Sequence, residues 1–203
     1  MSKGKAYANR KPESQRPAGD LYETPSAMVI ELLKSGLFFP TGLNMKIFDP
    51  CCGHKKIGNV LREYGYTNII EKDIIYGDDF LAKDKEGNYV DLTKYDIIIM
   101  NPPFKLFDEF AKKAKLQAKY VFCIGKPNFF GAHQRNINGL WNNLKWCLIF
   151  DRMIAFDKPE INGKVECGMI VSNWFIWDWE YDRNPMIKIL DVQKYIKSST
   201  RSN

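Results

Sequence analysis

Residues 95–100, Tyr-Asp-Ile-Ile-Ile-Met, make a short apolar run that stops at Asn101-Pro102-Pro103-Phe104. A strand of this kind is buried on both faces, which calls for a sheet covered by helices on either side. Two prolines in succession cannot extend its ladder, so the strand ends there in a rigid turn. The rest of the chain alternates accordingly. Thr24-Pro25 opens a helix, with Thr as N-cap and Pro in the first turn, an apolar stripe of Met28, Val29, Leu32 and Leu33, and Gly36 as its stop. Met45–Phe48 reads as a buried strand ending at Asp49-Pro50, and residues 57–64 as a helix ended by Gly65. A strand follows from Asn68 to Asp73, then the Tyr95–Met100 strand, a helix over 105–118 and a strand over 120–124. Asp96 is expected to point out of the sheet near the start of its strand.

This order predicts an α/β chain built on a parallel sheet, in which ligands bind at the carboxyl ends of the strands. Asp49, Asp73 and Asn101 each stand at such an end. Residues 126–145 are rich in Asn, Gly, Phe and Trp without a clean period and read as a loop-rich insertion on the substrate side. Two further strands are expected, from 146 to 156 and from 172 to 179. Residues 1–20 read as a basic, mobile arm and 187–203 as a basic tail, leaving one domain over 21–186.

At 203 residues, 45% hydrophobic and 14% aromatic, the chain suits one globular domain. No stretch is long enough to span a bilayer and the N-terminus has no apolar signal region, so a cytoplasmic location is expected. Five cysteines with one vicinal pair make a poor disulfide framework. Cys51, Cys52 and His54 lack a fourth partner for zinc, so no metal is expected. The net charge of +6 is concentrated at the two ends, which favours a nucleic-acid partner while also suiting plain solvated tails.

The Asn101-Pro102-Pro103-Phe104 turn offers an amide, a backbone carbonyl and an aromatic ring, the set needed to alkylate an aromatic amine. Asn101 and the Pro102 carbonyl can accept both N–H bonds of an adenine amino group, and Phe104 can stack on the purine. Together with Phe48-Asp49-Pro50-Cys51-Cys52-Gly53, the motif resembles the paired signature of S-adenosylmethionine-dependent DNA adenine-N6 methyltransferases. The order of the motifs is similar to the gamma arrangement, and Gln134-Arg135 and residues 173–177 are similar to compact phage-type enzymes. The resemblance spans roughly residues 20–180. It implies a Rossmann-like class I methyltransferase fold, with a mostly parallel seven-stranded sheet and helices on both faces.

The resemblance also implies roles. Asn101, Pro102, Pro103 and Phe104 would be catalytic. Tyr22, Thr24 and Pro25 would contact the cofactor from the N-terminal segment, and Asp49, Pro50, Cys51 and Gly53 from the loop after the first strand. Asp73 would bind the ribose hydroxyls, while Asp79 and Phe80 would grip the cofactor adenine. Lys105, Arg135 and Arg152 are candidates for phosphate contact, with a surface ion pair the equal alternative for the two arginines. The tryptophans read as core, Trp141 being a candidate for base stacking.

One departure stands out. The family loop usually runs Gly-x-Gly, whereas Gly53 is followed here by His54-Lys55-Lys56. Either Lys55 or Lys56 pairs with the cofactor carboxylate, or cofactor binding is weakened. The reading is therefore transfer of a methyl group to adenine N6 in DNA, with the base flipped into the motif. The alternatives are adenine in RNA, a catalytically silent nucleic-acid-binding protein, and a protein-glutamine methyltransferase. A homodimer or a specificity partner is left open.

Overall fold

The computed structural model describes residues 22–38, 42–156 and 158–197. The arm expected over 1–20 and the last residues of the tail lie outside them. Seven strands form one sheet: β1 (Ile47–Asp49), β2 (Ile69–Glu71), β3 (Tyr95–Met100), β4 (Ala118–Gly125), β5 (Leu144–Phe150), β6 (Asn173–Asp178) and β7 (Met186–Leu190). Their order is β2-β1-β3-β4-β6-β5-β7. β6 pairs antiparallel with β4 and β5, while the other neighbours are parallel, so the sheet is mixed but mostly parallel.

Period-two alternation explains why the strands are apolar throughout. Ile47, Ile97, Ile99, Phe122, Ile124, Trp174 and Ile176 face one core with helices α1 (Ser26–Lys34) and α2 (Lys56–Glu63). Phe48, Ile98, Met100, Val121, Cys123, Phe175 and Trp177 face the other, beneath α3 (Phe107–Gln117). The central strands thus feed two cores, and helices cover both faces as expected. Asp96 lies outside both, exposed, where its carboxylate accepts a hydrogen bond from the Lys46 amide at 2.8 Å.

Several boundaries differ from the expectation. Pro25, not Thr24, precedes α1, and its extended backbone (φ −58°, ψ 133°) holds Thr24 one residue too far back to cap. Glu160 serves instead, its carboxylate accepting the Ser26 amide at 3.0 Å. β5 stops at Phe150, and residues 151–156 leave the sheet for a hairpin in which Ala155 N donates to Glu166 O at 3.0 Å. The supposed tail contributes an edge strand: β7 lies alongside β5, so the ordered domain runs beyond residue 186. Only Leu190 of β7 is buried, which is why its sequence carries no alternating signal. Residues 126–143 do not form an open loop. They comprise a short 3-10 turn at Pro127–Gly131 and helix α4 (His133–Ile137), with Phe129 and Leu140 buried in the α3-side core. Among the described residues no helix is long and apolar enough to cross a membrane.

Candidate active site

A cleft of about 900 Å³, its open mouth included, lies at the carboxyl ends of β1, β2 and β3. Of the residues singled out from the sequence, it brings together Tyr22, Thr24, Pro50, Cys51, Gly53, Asp73, Asp79, Phe80, Asn101 and Pro103. Pro25, Asp49, Pro102 and Phe104 do not line it.

The floor is the turn that follows β1. Its backbone is knitted to the extension of β2 by Lys72 N to Asp49 O (2.9 Å) and Cys52 N to Lys72 O (3.1 Å). Asp73 accepts the Gly53 amide at 2.8 Å and the Ile75 amide at 3.0 Å, fixing the turn against the 3-10 segment Ile74–Tyr76. Asp49 is buried beneath, one carboxylate oxygen accepting the Cys51 amide at 3.1 Å and the other without a partner. Burial raises its pKa well above the ordinary carboxyl value, aided by the neighbouring charges of Glu71, Asp73 and Glu23. Burial likewise pushes the Cys51 thiol up, and Cys52 to about 12, so neither is an activated nucleophile.

The departing residues have distinct fates. Lys55 precedes α2 with φ 66° and ψ 27°, the left-handed conformation that glycine adopts freely. Its ammonium leans over the Tyr76 ring, 5.8 Å from the centroid, and Lys55 does not line the cleft, whereas Lys56 does. His54 turns outward to Glu23, whose Oε1 lies 2.9 Å from the His54 amide and 2.7 Å from Nδ1. Glu23, Ile74, Ile75, Leu106 and Phe110 line the cleft unforeseen, beside Lys56, which the sequence had raised. Glu23 lies within the Tyr22–Pro25 segment, and the pair Ile74-Ile75 immediately after Asp73 was an available signal; Phe110 and Leu106 looked like ordinary helix positions.

Asn101 sits at the rim. Its Nδ2 donates to the Tyr22 carbonyl at 3.0 Å. A carbonyl can only accept, so this contact orients the amide and turns Oδ1 away from Tyr22 as an acceptor. Phe104 faces away from the cleft, edge-on to Phe129 at 6.1 Å, with the Lys126 ammonium 4.4 Å from its ring centroid. Asn101 thus lines the cleft, while the Phe104 ring packs outside it.

The nucleic-acid candidates scatter. Arg135 binds Asp108 at 2.7 Å and stacks its guanidinium 4.2 Å over Phe129, tying α4 to the start of α3. Arg152 hydrogen-bonds Gln193. Lys105 is exposed beside Phe104. Trp141 lies parallel to Trp177, ring centroids 6.1 Å apart, partly buried against the α3-side core. Trp179, read as core, is 61% exposed because it lies past the end of β6.

The cleft's chemistry is informative. Glu23, Asp73, Asp78 and Asp79 face it with one cation, Lys56, beside apolar walls of Ile57, Ile74, Phe80, Leu81 and Phe110. Such a set of carboxylates repels a polyphosphate. It suits a ligand with hydroxyls, an aromatic base and positive charge, and the unpartnered Asp49 oxygen lies just beneath.

No family model matches the sequence, and no curated protein matches it. Solved structures do resemble the fold. A predicted O-methyltransferase from Agrobacterium tumefaciens superposes with a TM-score of 0.51 at 12% identity, over 87% of this chain and 90% of its own. A putative class I S-adenosylmethionine-dependent methyltransferase from Listeria monocytogenes gives 0.53 at 13%, over 83% and 65%. The type I restriction-modification methyltransferase subunit from Streptococcus thermophilus gives 0.52 at 13%, over 85% and 48%. The chain therefore has the Rossmann-like class I methyltransferase fold. It spans most of the first of these proteins, about two thirds of the second and about half of the third.

Proposed function

We propose that this chain transfers a methyl group from S-adenosylmethionine to the exocyclic N6 amino group of adenine in DNA. The observation that carries the reading is the Tyr22–Asn101 hydrogen bond, which presents the Asn101 amide oxygen at the rim of a carboxylate-lined cleft. When bound, the cofactor supplies a methyl carbon made electrophilic by its sulfonium.

Phe80, Leu81 and Phe110 would flank the cofactor adenine, Asp79 and Asp73 would accept from its amino group and ribose hydroxyls, and Lys56 would pair with its carboxylate. Gly53 and Pro50 would allow close backbone approach, with Asp49 buried beneath the turn. The amino group of adenine is a weak nucleophile because its lone pair is delocalised into the ring. Asn101 Oδ1 and the Pro102 carbonyl accept its two N–H bonds, favour a pyramidal nitrogen and stabilise the positive charge that develops there. Phe104, with Lys126 over its ring, stacks on the flipped base. The fold likeness to a restriction-modification methyltransferase supports a nucleic-acid acceptor, whose backbone the exposed Lys105 would meet.

Incubation with labelled S-adenosylmethionine and DNA or RNA in parallel, followed by nucleoside analysis, tests the reading. N6-methyladenine in DNA is the expected product. Label confined to RNA or protein overturns the choice of acceptor.

A further inference from the structure

Lys113 is 1% exposed, although lysine is rarely buried without a carboxylate partner. It projects from α3 toward the segment that carries Phe80. Its ammonium donates to the Phe80 carbonyl, lies 4.6 Å from the centroid of the Phe80 ring and 4.8 Å from that of Tyr89. Phe80 lines the cleft and Lys113 does not, so the cation backs the ring from the α3 side. Asp79 and Asp91 act on it at longer range, while burial and Lys72 oppose its charge.

Lys113 does not act alone. Gln117, one turn on, donates to the Thr93 carbonyl at 3.0 Å, and Lys94 donates to the carbonyl of Leu116 at 2.5 Å. α3 therefore clamps residues 80–94 at both ends. The same helix begins directly after the Asn101–Phe104 motif, joined to it by the 3-10 turn Phe104–Leu106. The aromatic wall of the cleft and the catalytic turn are consequently mounted on one rigid rod. Solvation of the lysine has been exchanged for one carbonyl and two ring faces, a costly arrangement that a simple core residue would not need.

We infer that Lys113 is a positioning residue that holds Phe80 in place to stack on the cofactor's adenine, and so ties cofactor affinity to the helix bearing the catalytic motif. The inference rests on the reading of the cleft as the S-adenosylmethionine site. An ammonium against Phe80 also draws electron density from the ring, which favours its stacking with an electron-rich purine.

Calorimetry with S-adenosylhomocysteine on wild type, Lys113→Met, Lys113→Arg and Tyr89→Leu tests it, with circular dichroism to verify folding. The expected result is a loss of affinity of about tenfold in Lys113→Met, a smaller loss in Tyr89→Leu, and recovery of most of the affinity in Lys113→Arg. At saturating cofactor, turnover should recover, so that KM moves and kcat does not. Equal affinity in wild type and a folded Lys113→Met overturns the positioning role alone. If Lys113→Met does not fold, unchanged affinity in Tyr89→Leu overturns it. A wild type that fails to bind at millimolar ligand overturns the cofactor reading and this inference with it.

Discussion

Lys55 occupies a backbone conformation that costs an L-residue roughly 1–2 kcal/mol relative to the right-handed one. Nothing about its side chain offsets this beyond a distant contact with Tyr76. Lys55→Gly should therefore stabilise the protein by about 1 kcal/mol, less the extra entropy glycine gains on unfolding, and raise its melting temperature by about 2–4 °C. Thermal melts check this, and a fall in melting temperature would show that the turn depends on the lysine. The left-handed turn was legible only indirectly, as the place where the motif's second glycine was missing. The sequence raised both Lys55 and Lys56 as partners for a carboxylate. Geometry separates them, because the turn that swings Lys55 outward points Lys56 into the cleft.

At the level of elements, the α3-side core closes where Gly125 ends β4. A Cβ there would stand 2.8 Å from ring carbons of both Phe107 and Phe175, two fully buried side chains with little room to yield. Gly125→Ala should cost about 1–3 kcal/mol, seen as a lower urea midpoint at unchanged slope; an unshifted midpoint would mean that the rings adjust freely. The strands that feed two cores were plain in the sequence, since Tyr95–Met100 and Tyr120–Ile124 are apolar at almost every position. β7 was not: it exposes four of its five residues and is held in the sheet by its ladder to β5. The cap on α1 was equally hidden, because Glu160 is 134 positions from Ser26.

For the whole molecule, Asp49 couples stability to pH. Its folded-state pKa is raised above its ordinary value of 3.8, chiefly by burial. The folded protein therefore holds that proton more tightly than the unfolded chain. The stability this contributes is present in full below pH 3.8 and is lost as pH rises through the folded value. Asp49→Asn, which cannot ionise, should flatten the fall in melting temperature between acid and neutral pH and be the more stable form at pH 7. Parallel melting curves for the two proteins would contradict the assignment. The fold and most of the cleft were readable because the motifs fall at strand ends. The turn of Asn101 toward Tyr22 and of Phe104 toward Phe129 was not, since it depends on which way each side chain points.

The central claim rests on Asn101, and methyl transfer to DNA by Asn101→Ala tests it most directly. Loss of one preorganised acceptor at the reacting nitrogen should lower turnover by about 100-fold or more. Affinity for S-adenosylhomocysteine should stay close to that of wild type, because the proposed reading assigns the cofactor to other residues. Undiminished transfer by Asn101→Ala would contradict the account.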